Sequence, residues 1–374
     1  MPPSTYLDLA PGDPAPWFRQ RSTSNPRFNF DTVAGRHVVL CFFGTAADPR
    51  SKAVLRVVQD NRQLFDDRRA CFFGVSIDPA DERDGRVCES LPGIRFFWDF
   101  DRTVSRMYGA VARETSHDAS SLAIRRFWLL LDPALRILAV VPFAEDGSDC
   151  TVLFDRLRRL SEPDLVPAPP MPVPALWLPN VFEVGLCRAL IDLYERQGGE
   201  ESGFMRDMGG RTALVHDVGH KRRRDCIVDD PKLVEAIQNR VLRRIKPEVR
   251  KIHHFDVTRM ERYIVGCYSA EDGGHFRPHR DNTTKGTAHR RFAVSINLND
   301  GFEGGAISFP EYGEQGFCPP VGGAVIFSCS MLHAVSPVTK GRRFAFLPFL
   351  YDDAAARLRE ANHPSLGEGY EYQA

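Results

Sequence analysis

The sequence predicts two domains of different class: an α/β domain at the N-terminus, and a mainly-β domain, a jelly roll supported by helices, at the C-terminus. Three observations predict this division. The 374 residues exceed the usual size of one domain, a proline-rich stretch interrupts the chain, and apolar segments are arranged differently on its two sides. We therefore predict domains at 1–161 and 178–374, joined by an extended linker at 162–177.

In the N-terminal domain, apolar runs of strand length alternate with segments of helical spacing. Two continuous runs are typical of strands buried on both faces, and two later runs flank Asp132-Pro133 as the arms of a hairpin. The strands are expected at 37–44, 70–77, 127–131 and 137–141, and the helices at 51–65 and 151–160. Strands that alternate with helices and end in an antiparallel pair predict a thioredoxin-like sheet.

In the C-terminal domain, two helical segments precede a series of short strands separated by Gly and Pro turns. The second helix has Asp230 as its expected N-cap and Pro231 in its first turn. The helices are expected around 184–193 and 231–244, and the strands at 262–268, 292–298, 306–309, 324–328 and 344–350. This order predicts a double-sheet jelly roll, or double-stranded β-helix, with supporting helices.

The charge of the chain is balanced overall but not locally. The 49 basic and 49 acidic residues cancel, so the net charge favours neither nucleic-acid nor anionic-membrane binding. One basic run, residues 221–224 (Lys-Arg-Arg-Arg), stands out. We expect this run to be a solvated loop, and the alternative is a basic patch that faces the substrate.

Several features bear on location. No stretch is long enough to span a bilayer, and the N-terminus lacks the pattern of a signal peptide. Nine cysteines without zinc-like spacing favour a reducing cytoplasm over a disulfide framework. The sequence does not indicate an oligomeric state.

Histidine and carboxylate residues of the C-terminal domain suggest a metal site. His279 and Asp281 supply an imidazole and a carboxylate from one short segment, and His333 follows an apolar strand further along. Together they form the ligand set of the two-His-one-carboxylate facial triad, which binds Fe(II) and leaves positions open for chemistry. Arg343 lies on another apolar strand, where a guanidinium can bind a carboxylate bidentately. Strand alternation predicts that Arg342 points the opposite way.

A second His-x-Asp triplet, containing His254 and Asp256, competes for these roles. His279 is favoured because it follows a glycine-rich bend and because Tyr268 lies on the strand before it. His254 is expected to open the apolar strand that leads to Tyr268. Two further histidines have arginine two positions later and are expected on the polar surface or around the ligands: His275 and His289.

Across residues 178–353 this pattern resembles the iron- and 2-oxoglutarate-dependent dioxygenases, most closely their prolyl 4-hydroxylase-like branch. The resemblance implies that His279, Asp281 and His333 bind Fe(II). It also implies that Arg343 pairs with the distal carboxylate of 2-oxoglutarate, and that Tyr268 donates a hydrogen bond to the same carboxylate. O2 is then the second co-substrate, and ascorbate (vitamin C) is expected to keep the iron reduced.

The activity implied by this resemblance is hydroxylation of an unactivated C–H bond, with release of succinate and CO2. A protein or peptide side chain such as proline is the favoured substrate, because the resemblance is to prolyl hydroxylases and an appended domain suits a macromolecular substrate. A small-molecule hydroxylase of the same superfamily is the alternative. Neither a nucleic-acid nor a membrane partner is expected.

The N-terminal domain resembles a peroxiredoxin of the thiol peroxidase class in its strand–helix–strand order and in the segment 125–133 (RRFWLLLDP). That family places a reactive cysteine at the N-terminal turn of the helix after the first strand. The corresponding segment, 44–52, contains no cysteine, and Cys41 and Cys71 fall inside apolar strands, as inert core thiols do. We therefore expect the N-terminal domain to be a scaffold without peroxidase activity. One alternative is a thiol peroxidase, and another is a chain in which both domains only bind other molecules.

Overall fold

The computed structural model describes residues 6–11, 13–112, 123–161 and 172–366. The chain divides into two compact units, Met1–Met171 with Pro310–Tyr312, and Pro172–Phe309 with Gly313–Ala374. Most of the linker predicted at 162–177 lies outside the described residues, so the boundaries at 161 and 178 stay predictions. In the described ranges, every helix is too short or too polar to cross a bilayer.

A mixed sheet forms the centre of the N-terminal unit. The strands of this unit are β1 (Arg19–Gln20), β2 (Phe28–Asn29), β3 (His37–Gly44), β4 (Ala70–Ser76), β5 (Ile94–Trp98), β6 (Phe127–Leu131) and β7 (Ile137–Pro142). Its helices are α1 (Pro49–Asp60), α2 (Pro79–Arg83), α3 (Thr103–Met107) and α4 (Ser148–Ser161). The sheet has the order β5-β4-β3-β6-β7, in which β3, β4 and β5 are parallel and β6 and β7 are antiparallel to their neighbours.

This sheet confirms the predicted α/β order. The four predicted strands correspond to β3, β4, β6 and β7, and the two predicted helices to α1 and α4. Helix α1 begins earlier than expected because Asp48 is its N-cap and accepts a hydrogen bond from the backbone N–H of Ser51. Strand β5 was not predicted, because a short apolar run fits a buried helical turn as well as a strand.

The C-terminal unit contains many short strands and longer helices. Its strands are β8 (Leu176–Leu178), β9 (Glu200–Glu201), β10 (Phe204–Met208), β11 (Arg211–Val215), β12 (Lys221–Arg222), β13 (Arg224–Ile227), β14 (Arg259–Glu261), β15 (Ile264–Ser269), β16 (His275–His279), β17 (Phe292–Asn297), β18 (Glu303–Gly304), β19 (Ile307–Ser308), β20 (Gly316–Phe317), β21 (Ala324–Ser328), β22 (His333–Val335), β23 (Val338–Lys340), β24 (Arg342–Phe346) and β25 (Phe349–Tyr351). Its helices are α5 (Val184–Gln197), α6 (Pro231–Arg240), α7 (Lys246–His253) and α8 (Asp353–Asn362).

Two antiparallel sheets contain most of these strands. The larger sheet runs β14-β25-β17-β24-β15-β13-β9; β21 also pairs with β17, and β8 pairs with β21. The smaller sheet has the order β12-β16-β22-β19-β20. Side chains of α5, α6 and α7, among them Leu190, Ile237 and Val249, share one hydrophobic core with the larger sheet, so the helices support it.

Three elements of this unit differ from the prediction. The strand predicted at 344–350 is two strands, β24 and β25, separated by Leu347 and Pro348, because proline has no N–H for the ladder. The helix predicted at 231–244 continues through a π-helical turn, Val241–Ile245, into α7. His254 does not open a strand: it follows α7 in the left-handed conformation, with φ of 50°.

Candidate metal centre

His279 and His333 are brought together by the pairing of two antiparallel strands. His279 ends β16, His333 begins β22, and the two residues are directly opposite in the register. Side chains of opposite residues can contact each other, and the two ring centroids are 4.2 Å apart. Asp281 follows β16, where its backbone N–H donates to the carbonyl of Cys329 at 2.9 Å.

The three side chains converge on one point. Oδ1 of Asp281 lies 3.6 Å from Nε2 of His279, and its Oδ2 lies 3.4 Å from Nε2 of His333. Two ligands bound at right angles, each about 2.1 Å from an ion, are about 3 Å apart, so this spacing suits a single cation. In the part of the chain that the structure describes, no other group of His, Cys, Asp or Glu side chains converges in this way.

Backbone carbonyls determine which nitrogen of each histidine faces the carboxylate. Nδ1 of His279 lies 2.8 Å from the carbonyl oxygen of Arg277, and Nδ1 of His333 lies 3.1 Å from that of Met331. Each Nδ1 therefore donates its hydrogen to a carbonyl, which leaves Nε2 with the lone pair that a metal needs. Burial, and then the neighbouring His333, hold the pKa of His279 well below its ordinary value, which favours the neutral imidazole.

Aromatic rings pack against both imidazoles. Phe276 stacks on His279 with ring centroids 3.4 Å apart, and Phe327 packs edge-on against His333 at 4.6 Å. The ring of Phe309 in turn contacts Phe327 at 4.9 Å. These contacts hold the imidazoles in one orientation and make the wall of the centre apolar.

Arg343 and Tyr268 lie opposite each other on β24 and β15. Both are buried, and Nη2 of Arg343 donates to Oγ of Ser295 at 3.1 Å. Nε of Arg343 has no hydrogen-bond partner, and no carboxylate among the described residues pairs with this guanidinium. Burial lowers the pKa of Arg343, as expected for a desolvated cation without a counter-charge. Such a group fits an external carboxylate.

The neighbouring arginine points the other way, which confirms the predicted alternation. Arg342 is exposed and pairs with Glu195 at 2.7 Å. Gly305 provides the room for Arg343, because a Cβ at Gly305 would lie 3.0 Å from Cδ of the arginine. Gly305 is therefore part of the packing around Arg343.

The expectation that residues 221–224 form a solvated loop is wrong. The run forms β12 and the start of β13, which pair with β16 and β15. Strand alternation buries Lys221 and Arg223, and it leaves Arg222 and Arg224 exposed. The composition of this run predicts solvent exposure for all four residues. Only the strand pairing shows that Lys221 and Arg223 are buried.

The two buried cations link the metal centre to the Tyr268–Arg343 pair. Nζ of Lys221 lies 4.8 Å from the centre of the Phe276 ring, which stacks on His279. The same Nζ donates to Oγ of Ser202 at 2.7 Å, and Nη2 of Arg223 donates to that hydroxyl at 3.2 Å. Nη1 of Arg223 donates to the phenol oxygen of Tyr268 at 3.3 Å.

The competing histidines lie apart from the centre. The carboxylate of Asp256 pairs with Lys246 at 3.2 Å, so the His254 triplet forms no cluster. His289 is not on the polar surface: it is fully buried, with Nε2 at 2.8 Å from the carboxylate of Glu261. His275 bonds to the carbonyl of Gly273 through Nδ1 at 2.8 Å. A residue that sequence reasoning missed is His220, whose ring lies 6.4 Å from that of His279.

The N-terminal unit has a carboxylate at the start of helix α1, in the segment where the resemblance to peroxiredoxins would place a reactive thiol. Asp48 caps helix α1 and forms an ion pair with Arg126. Cys41 and Cys71 are buried, and burial raises the pKa of Cys71 to about 12 and that of Cys41 well above its ordinary value. The predicted burial of both thiols in the core is therefore confirmed, and their lack of reactivity stays a prediction.

Both units match known families. Residues 11–138 match the AhpC/TSA family, and residues 262–351 match the 2OG-Fe(II) oxygenase superfamily. The second match contains Tyr268, His279, Asp281, His333 and Arg343. The protein is a 2-oxoglutarate-dependent dioxygenase. In this dioxygenase a peroxiredoxin-like domain precedes the oxygenase domain.

Solved structures similar to the dioxygenase fall into the same two groups. A viral collagen prolyl hydroxylase from Paramecium Bursaria Chlorella virus-1 is 16% identical, with a TM-score of 0.35, over 47% of this chain and 94% of that chain. A prolyl-4-hydroxylase from Pseudomonas putida has the same identity and TM-score, over 47% and 91%. A yeast mitochondrial 1-Cys peroxiredoxin is 17% identical, with a TM-score of 0.34, over 46% and 88%.

Proposed function

We propose that the dioxygenase hydroxylates an unactivated C–H bond of a protein or peptide side chain, with proline as the first candidate, and releases succinate and CO2. The observation that carries this proposal is the convergence of two imidazoles and one carboxylate in a unit that also buries an arginine, Arg343, with which no carboxylate of the described residues pairs. The oxygenase domain is proposed to be a double-stranded β-helix, which the two antiparallel sheets support.

His279, Asp281 and His333 would hold Fe(II). Two neutral nitrogens and one anionic oxygen from one side suit this ion and leave its other side free for ligands. When bound, Fe(II) together with 2-oxoglutarate and O2 supplies the oxidising power to attack a C–H bond. Ascorbate is proposed as the reductant that maintains the ferrous state.

Arg343 would bind the distal carboxylate of 2-oxoglutarate. Its Nε lacks a partner among the described residues, and Ser295 accepts a hydrogen bond from Nη2, so the guanidinium is oriented before the co-substrate arrives. The phenol of Tyr268, directly across the strands, would donate a second kind of hydrogen bond to the same carboxylate. The chain thereby supplies one charge and one neutral donor to a single anionic group.

The apolar wall would protect the reacting atoms from water. Phe276 stacks on the imidazole of His279 and Phe327 packs edge-on against that of His333, so water reaches the proposed centre from fewer directions. Exclusion of water limits side reactions of a strong oxidant before the substrate is in place.

The surface near the centre supports a macromolecular substrate. Strands β10 and β11 form a separate hairpin on which Met208 and Leu214 are 48% and 49% exposed. The first residue of this hairpin, Phe204, contacts His220, which in turn faces His279. Exposed apolar side chains beside a catalytic centre are typical of surfaces that bind protein segments.

The cysteines support a reducing compartment, and we propose the cytoplasm. All nine cysteines are unpaired, and seven of them are buried. Buried thiols without partners need no oxidising environment for their structure.

Mass spectrometry of substrates tests the proposal. Lysate proteins, peptides and metabolites are incubated with Fe(II), 2-oxoglutarate and ascorbate, and either the parent protein or the His279→Ala variant. We expect oxygen-atom additions on protein side chains, with matching succinate release, only with the parent. Additions confined to metabolites would indicate a small-molecule hydroxylase, and equal succinate release by both proteins would refute the assignment of the metal centre.

A further inference from the structure

Arg223 is a buried arginine whose role the proposed function leaves open. It lies between β12 and β13 and is 8% exposed. Its Nη1 donates to the phenol oxygen of Tyr268 at 3.3 Å, and its Cζ lies 5.7 Å from the centre of the same ring. Tyr268 therefore has two guanidinium groups close to its ring, because Cζ of Arg343 lies 5.5 Å from the ring centre.

The two arginines differ in their counter-charges. Asp225 accepts hydrogen bonds from Nε of Arg223 at 2.6 Å and from Nη2 at 2.7 Å, so the charge of Arg223 is balanced within the protein. Arg343 has no such carboxylate among the described residues. Only Arg343 therefore needs an external anion, and Arg223 has a different task.

We propose that Arg223 is a positioning residue that sets the direction of the Tyr268 hydroxyl. This inference rests on the proposed function, in which Tyr268 donates to the distal carboxylate of 2-oxoglutarate. A hydroxyl has one hydrogen and two lone pairs, and a guanidinium is only a donor. Once Arg223 occupies a lone pair of the phenol oxygen, the phenol hydrogen is directed elsewhere, and the carboxylate held by Arg343 is the acceptor that the proposed site supplies.

The charge of Arg223 adds to this orientation. A cation that donates to a hydroxyl polarises the O–H bond, so the hydroxyl becomes a stronger donor to its own acceptor. Through the phenol, the positive charge of Arg223 strengthens the hydrogen bond to the 2-oxoglutarate carboxylate. Because Arg223 is already paired with Asp225, it does not compete with Arg343 for that carboxylate.

The packing around Arg223 holds this geometry. Asp225 also pairs with Arg262 at 3.1 Å and accepts a hydrogen bond from Ser202 at 2.5 Å, which fixes the carboxylate that orients Arg223. On β15, a Cβ at Gly266 would lie 3.0 Å from Cδ of Arg223, so the glycine leaves room for the side chain.

The test uses variants that do not leave the Asp225 carboxylate buried without its main partner. Arg223→Gln alone would leave Asp225 buried without its main partner, so it is combined with Asp225→Asn. Arg223→Lys keeps the charge but loses the fork. The matched control is Arg224→Gln, in the next residue, which is exposed and donates to the carbonyl of Gly199.

The experiment is a double-mutant cycle with Tyr268→Phe. Binding of 2-oxoglutarate to full-length protein loaded with Mn(II) is measured by calorimetry in anoxic buffer. We expect Tyr268→Phe and Arg223→Gln/Asp225→Asn each to weaken binding about tenfold, and their combination to be no weaker than Tyr268→Phe alone. The KM for 2-oxoglutarate should rise while kcat at saturating 2-oxoglutarate stays level, and Arg223→Lys should rescue part of the loss.

If the losses of 2-oxoglutarate binding free energy in the two variants simply added in their combination, the inference would be overturned. Arg223 would then affect binding independently of the Tyr268 phenol. Unchanged binding in Arg223→Lys and in the charge-free pair would also overturn it. Arg343→Met separates this failure from that of the proposed function. If Arg343→Met binds 2-oxoglutarate as the parent does, the co-substrate assignment fails and this inference falls with it. If only Arg343→Met loses binding, the inference alone fails.

Discussion

Replacing Arg343 with methionine removes a buried charge that has no counter-charge in the described part of the protein. Arg343 is 1% exposed, donates to Ser295 through Nη2, and leaves Nε without a hydrogen-bond partner among the described residues. If it binds the distal carboxylate of 2-oxoglutarate through two charge-assisted hydrogen bonds, the variant loses about 3–4 kcal/mol of binding free energy, or roughly 100- to 1,000-fold in affinity.

The same substitution should have the opposite effect on stability. A desolvated cation without a partner is unfavourable, and methionine fills a similar volume without the charge. We expect the free energy of unfolding of the co-substrate-free protein to stay level or to rise by about 1–4 kcal/mol. A loss of 2-oxoglutarate affinity without a loss of stability would indicate that Arg343 contributes to binding and not to folding.

Two measurements check this expectation. Calorimetric titration of 2-oxoglutarate into Mn(II)-loaded protein gives the affinity, and thermal unfolding without ligand gives the stability. Arg342→Met is the matched control, because Arg342 is exposed and pairs at the surface with Glu195, where ion pairs contribute little. An affinity of Arg343→Met within about threefold of the parent, equivalent to less than about 0.7 kcal/mol, would refute the reasoning.

Three further predictions concern the metal centre, the buried ion cluster and the exposed thiols. Asp281→Asn should weaken Fe(II) or Mn(II) binding by roughly 100-fold or more in anoxic titrations, because the anionic ligand is lost, whereas Asp256→Asn should leave it unchanged. Burial opposes ionisation of Glu261, but the charge of Arg290 and the hydrogen bond from His289 outweigh it and hold its pKa at about 2, below the ordinary 4.5. Its contribution to stability is therefore present above pH 4.5 and lost as the pH falls toward 2, so Glu261→Gln should be less stable by about 3 kcal/mol at neutral pH. A difference between the two urea-unfolding curves that stays constant down to the acid limit would contradict this. The exposed thiol of Cys318 lies beside the Arg343 guanidinium, so alkylation with N-ethylmaleimide should weaken 2-oxoglutarate binding in the parent and in Cys88→Ser, but not in Cys318→Ser.

The chemistry of the site was largely readable from the sequence. The identities and order of His279, Asp281, His333 and Arg343 restrict what the site can bind, because few residue types bind a hard cation or clamp a carboxylate. The two-residue period of a strand separated Arg343 from Arg342 without any coordinates. The absence of a cysteine from segment 44–52 was also evident from the sequence alone.

Tertiary structure alone decided which polar residues surround that chemistry. Lys221 and Arg223 are buried because β12 and β13 pair with strands far along the chain, β16 and β15. The run of four basic residues does not by itself predict this pairing. The burial of His289 against Glu261 likewise depends on a contact between distant segments. The periodicity of the sequence predicts the side of a strand on which a residue lies. It does not predict which distant strands or side chains pack against that side. For this reason the sequence determined the candidate metal ligands and the proposed carboxylate clamp, whereas the fold determined which charged residues lie around them.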